Sequence, residues 1–192
     1  TDPGQDTPTS YTINWGDGGV EVVDSLGDYT HVYADGTINR TISVLVTDED
    51  GQHANAGTHT VTVNNVAPAV VLTGANLSAE GASYALNLVG SDPAGTADTL
   101  SYSIDWGDGS AAQLLTAAEL SALGGNVSHI YSDDEDGPVN STGRTITVTV
   151  SDEDGGSSMS TKTLTVNNVA PTAAVTGAAT VAEAALYTLA VG

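Results

Sequence analysis

The sequence predicts an all-β fold built from two-sheet sandwiches, and three observations support this prediction. A strand pattern, YSIDWGDG at Tyr102–Gly109, occurs twice, with its earlier copy, YTINWGDG, at Tyr11–Gly18. In both copies aromatic and β-branched residues alternate with polar ones, which is typical of a half-buried strand. The Gly-Asp-Gly that ends each copy predicts a tight turn, because glycine tolerates positive φ angles. The chain is also rich in Thr, Val and Gly and poor in long helix-forming residues, which favours strands.

The chain repeats itself beyond this strand. RTISVLVTDEDG at Arg40–Gly51 recurs as RTITVTVSDEDG at Arg144–Gly155. HTVTVNNVAP, which begins at His59, recurs as KTLTVNNVAP, which begins at Lys162, an offset of 103 residues. A repeat of about 100 residues is too long for a solenoid and has the length of a β-sandwich domain.

The repeat divides the chain into three parts. We predict a unit without its first strands at 1–66, a complete unit at 67–168, and the opening strands of a further unit at 169–192. Two explanations of this phasing remain open. The chain is a section of a long tandem array, or Thr172–Gly192 completes the first unit of a neighbouring molecule. The second explanation is donor-strand assembly, in which backbone pairing at a sheet edge joins subunits head to tail.

The complete unit is predicted to contain about seven strands, as a two-sheet sandwich requires. The sixth alternates most regularly, with Ile146, Val148 and Val150 on one face and threonines on the other. The predicted strands are Ala69–Gly74, Ser83–Gly90, Thr99–Trp106, Ser110–Leu115, Asn126–Tyr131, Arg144–Ser151 and Ser158–Val166.

One segment of this unit departs from the strand pattern. The stretch TAAELSAL, at 116–123, places Thr116 and Glu119 in capping-box register, and Gly124 follows it. A capping box starts a helix and a glycine commonly ends one. We therefore predict a short helix here, in an insertion that the earlier copy lacks.

Composition and charge limit the possible functions. The formal net charge is -21, with 3 Lys and Arg against 24 Asp and Glu. Such a chain repels nucleic acid and anionic membranes, because both require cationic contacts. There is no cysteine, which excludes disulfides, thiolate metal sites and thiol catalysis. No apolar run approaches the roughly 20 residues that a membrane span needs.

The order of the motifs YSIDWGDG, HIY and VTVSDEDG resembles that of PKD (polycystic kidney disease) domains. That family is marked by a strand ending in W-D-F-G-D-G, followed by H-x-Y and a V-T-V-x-D-x-x-G strand. The resemblance covers essentially the whole chain, although Ile104 stands at the family's Trp position and Trp106 at its Phe position. It implies tandem immunoglobulin-like sandwiches in a large bacterial or archaeal protein that is extracellular or at the cell surface.

Acidic residues concentrate in loops that this fold would bring to one end of the sandwich. In an immunoglobulin-like sandwich the loop after the second strand, the loop after the sixth and the chain entry lie together. Two carboxylates about 5 Å apart repel each other by roughly 3 kcal/mol at an effective dielectric of about 20. Calcium, which binds about six to eight oxygen ligands, would relieve this repulsion. The predicted ligands are Asn64, Asn65, Asp92, Asp98, Asp152 and Asp154 and, in the earlier copy, Asp2, Asp48 and Asp50.

The resemblance also implies calcium, because some PKD domains bind it near their entry linker. Two features weigh against the ligand set. The spacing is not that of an EF-hand loop, and Ala94 stands where the family has a second aspartate in SDPDG. The alternative is that these residues form ordinary solvated acidic turns.

A second acidic group is predicted at the opposite end of the unit, where it would face the next unit. It consists of Asp108, Asp133, Asp134 and Asp136. Asp105 and Asp108 resemble the paired carboxylates of a hydrolase only superficially, because one is an outward strand residue and the other lies in a turn.

The four histidines are not predicted to bind metal or to act as bases. His31 and His129 each stand two residues before a tyrosine, Tyr33 and Tyr131, whose hydroxyl we expect to bond to the backbone at a sandwich corner. His53 and His59 have no repeated partner and are expected to lie at the surface.

These observations favour a structural function. We expect calcium-bridged spacer modules of an extracellular stalk, adhesin or fibre, whose partners are neighbouring repeats or identical subunits arranged head to tail. The alternative is a carbohydrate- or protein-binding accessory module of a secreted protein, which would need exposed aromatic residues. Both tryptophans are instead predicted at core positions. An enzyme is not expected, because no nucleophile motif, phosphate-binding loop or zinc spacing is present.

Overall fold

The computed structural model describes residues 7–133 and 140–192. The chain is nearly all-β, with 51% strand and 3% helix, which confirms the predicted fold class. No helix among the described residues is both long and apolar enough to cross a membrane. The strands are β1 Ser10–Asn14, β2 Val20–Val23, β3 Ile38–Asp48, β4 Gly51–Val63, β5 Ala69–Gly74, β6 Leu77–Ala79, β7 Ser83–Ser91, β8 Ser101–Asp105, β9 Gln113–Thr116, β10 Asn126–Ile130, β11 Ser141–Ser151, β12 Ser157–Asn167, β13 Val175–Gly177 and β14 Leu189–Val191.

Strands β1–β4 form one antiparallel sheet in the order β2-β1-β3-β4, which we call the first sheet. Ile13 is buried on one of its faces, and Ile42, Val44 and Val46 are half-buried. Within the residues that the structure describes, the four strands make their extensive contacts only with one another. One face of the first sheet is therefore apolar and only partly covered.

Strands β5–β12 form a sandwich of two sheets. A three-stranded sheet, β10-β7-β5, faces a five-stranded sheet in the order β6-β12-β11-β8-β9. The core lies between them, and Ile146, Val148 and Val150 are completely buried in it, as predicted. Trp106 lies in the same core, so the interior accommodates the exchange of aromatic and aliphatic positions that distinguishes this sequence.

The observed strands of the sandwich include one that was not predicted, and the ends of others differ from the predicted bounds by up to three residues; β11, for example, begins at Ser141 rather than at Arg144. Strand β6 was not predicted, because three residues are too few to show alternation; it pairs in parallel with β12. Strand β9 begins at Gln113 rather than at Ser110. Both the backbone N–H and the hydroxyl of Ser110 donate to Asp108, which keeps Ser110 in the preceding turn.

The short helix is present as α1, Ala117–Ala122. Thr116 Oγ1 accepts from the N–H of Glu119 at 3.2 Å, and Glu119 Oε2 accepts from the N–H of Thr116 at 2.8 Å. This reciprocal capping box satisfies N–H groups that a helix start leaves unpaired. Leu120 enters the core, and Gly124 follows with φ +62°.

Strands β13 and β14 form a two-stranded antiparallel ladder, which we call the C-terminal ladder. Its register repeats that of β5 and β7, since Gly177 pairs with Leu189 as Gly74 pairs with Leu86. All six residues of its two strands are exposed.

Candidate metal centre between the first sheet and the sandwich

The linker between β4 and β5 is held from both sides. Asn65 Nδ2 donates to Asp152 Oδ2 at 2.8 Å, which ties the linker to the loop between β11 and β12. On the other side, a Cβ on Gly36 would lie only 2.7 Å from the backbone of Asn64 and Asn65. The absence of a side chain at Gly36 thus allows the loop before β3 to rest directly on the linker.

Carboxylates from both sides of this linker converge. Oxygens of Asp92, Asp98 and Asp152 all lie within 4.8 Å of one another, and so do oxygens of Asp35, Asp98 and Asp154. Asp98 belongs to both groups and is therefore the centre of the arrangement. Asp35 precedes β3 and comes from the first sheet, whereas the other four come from loops of the sandwich.

The central carboxylates are buried and incompletely hydrogen-bonded. Asp98 is 6% exposed and Asp152 is 8% exposed. Neither oxygen of Asp98 has a hydrogen-bond partner among the described residues, nor does Oδ2 of Asp92. The other oxygen of Asp92 accepts from the N–H of Ala94 at 2.8 Å, and Asp152 Oδ1 accepts from the N–H of Gly156 at 2.6 Å. These backbone bonds and the bond from Asn65 hold Asp92 and Asp152 in place, and each presents a carboxylate oxygen within 4.8 Å of an oxygen of Asp98.

The electrostatics of the cluster are unfavourable for the protein alone. The pKa of Asp98 is raised to about 6, mainly by burial. The negative charges of Asp92, Glu153, Asp35 and Asp152 contribute to the same shift. A buried carboxylate without hydrogen bonds or a counter-charge destabilises a fold unless it is neutralised. A cation bound between these oxygens would remove both the desolvation cost and the mutual repulsion.

Comparison with protein families assigns the sandwich, which carries most of this cluster, to a known domain type. Residues 65–167, more than half of the 192 residues, match the family described as PKD domain. The chain belongs to the PKD-domain family. The matched residues contain the sandwich together with Asn65, Asp92, Asp98, Asp152 and Asp154. Asp35 lies outside the match, so the cluster joins the PKD domain to the preceding sheet.

Comparison with solved structures finds fibronectin(III)-like modules of Clostridium thermocellum CbhA, at 12% identity over 88% of this chain and 82% of that chain. The TM-score of 0.36 is too low to support any argument about function or arrangement. No curated protein matches the chain.

The predicted ligands are distributed unevenly around the PKD domain. Asp92, Asp98, Asp152 and Asp154 lie in the two carboxylate groups, and Asn65 contacts one of them. Asn64 lines a cleft of about 230 Å³ beside the cluster, together with residues of the 32–36 loop and Asp92–Ala94. Asp2 lies outside the described residues.

Asp48 and Asp50 lie in the corresponding loop of the first sheet, where Asp48 has a different partner. Asp48 Oδ1 accepts from the N–H groups of Asp50 and Gly51, and its Oδ2 lies 2.7 Å from Nε2 of His53. Burial opposes ionisation of Asp48, but these hydrogen bonds and the charge of His53 outweigh it and lower its pKa. His53 is exposed, as expected of a surface residue, and its contact with the buried carboxylate of Asp48 was not predicted.

Two acidic residues that act on Asp98 were not among the predicted ligands: Glu153, beside the cluster, and Asp35, within it. Glu153 adds negative charge near Asp98, and its side chain accepts from the N–H of Thr99. Asp35 follows the HVY motif of the first copy. We predicted that the loop after H-x-Y in the second copy faces the next unit. The same rule, applied to the first copy, would have placed Asp35 against the PKD domain.

The second predicted acidic group lies around a turn at the other end of the PKD domain. Asp108 Oδ2 is 2.6 Å from Nε2 of His129, whose ring stacks on Trp106 with centroids 4.8 Å apart. The Tyr131 hydroxyl donates to the carbonyl oxygen of Trp106 at 3.0 Å, which confirms the expected corner bond. Asp133 is exposed, and Asp134 and Asp136 lie outside the described residues.

The turn of Asp108 has a counterpart in the first sheet. Asp17 Oδ2 lies 2.6 Å from Nε2 of His31, and the ring of His31 stacks on Trp15 at 4.9 Å. The Tyr33 hydroxyl donates to the carbonyl oxygen of Trp15 at 2.9 Å. The Trp-His-Asp-Tyr arrangement is therefore a repeated structural corner, which explains its histidines without a metal.

The Asp108 corner predicts a specific dependence of stability on acid. Burial opposes ionisation of Asp108, but the hydrogen bonds from Ser110 and His129 outweigh it and lower its pKa from 3.8 to about 2. Because the pKa of Asp108 is lower in the folded than in the unfolded chain, its ionised form stabilises the fold when the pH is above about 3.8. This stabilisation is lost as the pH falls from about 3.8 to about 2. We expect Asp108→Asn to destabilise the chain at pH ~5 by roughly 1–2 kcal/mol and much less at pH ~2.

Urea denaturation of both proteins across this pH range would measure the difference. Asp28→Asn, at an exposed loop position, is the matched control and should show a small difference that does not change with pH. A constant difference for Asp108→Asn would contradict the assignment.

Proposed function

We propose that this chain is a spacer of an extracellular stalk, adhesin or fibre, in which calcium holds the junction between consecutive units. PKD domains are extracellular structural or binding modules, and the proposal selects the structural role. The observation that carries it is the buried carboxylate of Asp98, which has no hydrogen-bond partner among the described residues and lies where the first sheet meets the PKD domain.

The donor set suits calcium. Asp92, Asp98 and Asp152 would hold the ion from the PKD domain. Asp154 offers a further carboxylate from the same domain, and Asp35 offers one from the first sheet. These are hard oxygen ligands in loops, which calcium accepts in flexible geometry, whereas magnesium demands a near-octahedral arrangement and retains water. When bound, calcium would supply the positive charge that the acidic loops lack.

A cation at this position would also stiffen the array. Because Asp35 belongs to the first sheet and Asp98 to the PKD domain, an ion bound by both would oppose bending at the linker. The linker is short and includes Pro68, which limits its own flexibility. The sequence repeat supports a tandem arrangement, in which each loop after H-x-Y would meet the acidic loops of the next unit.

The structural role is better supported than the binding role. A carbohydrate- or protein-binding module presents aromatic side chains to its ligand. In this chain Trp106 and Tyr131 are completely buried, and Trp15 is engaged in the corner of the first sheet. We also propose that copies are joined head to tail by donation of the C-terminal ladder.

Calorimetric titration of the chelator-treated chain with calcium tests the proposal. We expect one binding event, and a loss of affinity of about tenfold or more, equivalent to about 1.4 kcal/mol, in Asp98→Asn. Asp35→Asn should weaken binding less, because the three ligands of the PKD domain remain. Asp28→Asn, on the same side of the junction as Asp35, is the control and should bind like the unmodified chain.

Small-angle scattering on the same samples tests the mechanical consequence. Calcium should narrow the distribution of angles at the junction in the unmodified chain, and Asp35→Asn should reduce this effect. Absence of calcium binding, or binding that is unchanged in Asp98→Asn, would reject the proposal.

A further inference from the structure

We propose that the partly covered apolar face of the first sheet binds the C-terminal ladder of a second copy of this chain. This inference rests on the proposed function, because it names the partner surface for the head-to-tail contact. It assigns the donor and acceptor side chains.

The acceptor is the face of the first sheet that carries Ile42, Val44 and Val46. In the PKD domain the same sequence positions are Ile146 and Val148, within RTITV, and they are 0% exposed. In the first sheet the corresponding side chains are only half-buried. These similar motifs differ in burial because a second sheet covers Ile146 and Val148, whereas no strand among the described residues packs extensively over Ile42 and Val44.

The donor is one face of the C-terminal ladder. Val175 and Val191 pair directly across it, and Leu189 lies two residues before Val191 on the same face. These side chains are 60%, 67% and 53% exposed, respectively. Apolar side chains on a strand face are normally buried, so an exposed face of this composition favours burial against a partner.

The PKD domain itself shows how the two surfaces fit. With the 103-residue offset, Leu189 and Val191 correspond to Leu86 and Leu88, which are completely buried in the core. These two leucines lie on β7, and β5 beside it contacts β12 of the opposite sheet. The ladder has the same register and the same tyrosine bond, since the hydroxyl of Tyr187 donates to the carbonyl oxygen of Ala178 as Tyr84 donates to Ala75.

Charge does not oppose this contact. Glu183 is the only charged side chain in residues 172–192, although the chain carries 24 acidic residues. The segment therefore avoids the repulsion that the rest of the surface would impose on a second copy.

The test uses the full chain and measures its mass by light scattering after size exclusion. We expect masses that are multiples of 19.2 kDa and that grow with protein concentration. Leu189→Asp removes the donor and Val44→Asp removes the acceptor, so each variant alone should be a 19.2 kDa monomer. An equimolar mixture of the two variants should give a dimer and nothing larger, because only one productive contact remains.

Two matched controls place the same charge on the opposite faces. Ala190→Asp lies between the two donor residues, and Ser43→Asp lies beside Val44. Both should associate like the unmodified chain. Circular dichroism would verify that each variant is folded, and Val191→Asp, at an exposed position, replaces Leu189→Asp if that variant is unfolded.

An unmodified chain that stays monomeric at about 100 µM would overturn the inference, as would controls that dissociate as readily as the donor variant. Repeating the measurement in chelator separates the two proposals. Association without calcium supports the ladder contact even if calcium binding fails, and calcium binding by a monomer supports only the junction.

Discussion

Gly107→Ala is expected to destabilise the PKD domain by about 4 kcal/mol or more, which is close to the whole stability of many small domains. Gly107 has φ +75°, a conformation that costs other residues about 1–2 kcal/mol. A Cβ at this position would also overlap the carbonyl oxygen of Thr145. That oxygen is backbone of β11, where Thr145 pairs with Thr163 of β12, and it cannot move without disturbing this pairing, so the clash adds to the conformational cost.

Gly109→Ala is the matched control in the same turn. Gly109 has a similar φ of +80°, but no atom lies within 4 Å of the position of a Cβ. We expect a loss of only about 1 kcal/mol, which is the conformational term alone. Urea denaturation followed by circular dichroism gives both values. Equal losses in the two variants would show that close packing against Thr145 is unimportant.

Asp98→Asn is expected to change stability in opposite directions with and without calcium. In chelator the substitution removes a buried charge that has no hydrogen-bond partner, so the melting temperature should rise by roughly 5 °C. With calcium at about 100 times its Kd, the unmodified chain should gain about 2.7 kcal/mol, and the variant should gain far less. The order of the two melting temperatures should therefore reverse.

Thermal melts in chelator and in calcium would measure this reversal. Asp28→Asn should melt like the unmodified chain in both conditions, because Asp28 is exposed and lies outside the cluster. A variant that is less stable than the unmodified chain in chelator would show that Asp98 stabilises the fold without an ion. If calcium leaves the melting temperature of the unmodified chain unchanged, the proposed metal centre is contradicted directly.

The repeated corner and the acidic cluster differ in how their carboxylates are satisfied. At the corner, His129 and Ser110 both form hydrogen bonds with Asp108 within the PKD domain, so this carboxylate is satisfied locally. At the junction, Asp98 has no such partner among the described residues, and the charges that act on it are of the same sign. A carboxylate that the fold leaves unsatisfied is the better candidate for binding a cation.

Features that depend on neighbouring residues could be predicted from the sequence. The capping box of Thr116 and Glu119 requires only atoms within one turn, and the burial of Ile146 and Val148 follows from alternation along one strand. The family resemblance supplied the loop arrangement that brings Asp92, Asp98 and Asp152 together. The three-residue strand β6 and the bond between His53 and Asp48 have no comparable local pattern, and neither was predicted.

The amino-acid sequence by itself determined the all-β fold, the strand faces and the short helix, because each arises from local spacing and composition. Only the tertiary structure decided that Asp35 joins the cluster across the linker and that Asp98 is buried with no hydrogen-bond partner in the described part of the chain. It also decided that Ile42 is half-buried while Ile146 is fully buried, although both lie in the same motif. The physical reason is that burial and charge interactions depend on what a distant part of the chain places opposite a residue, which local spacing does not specify.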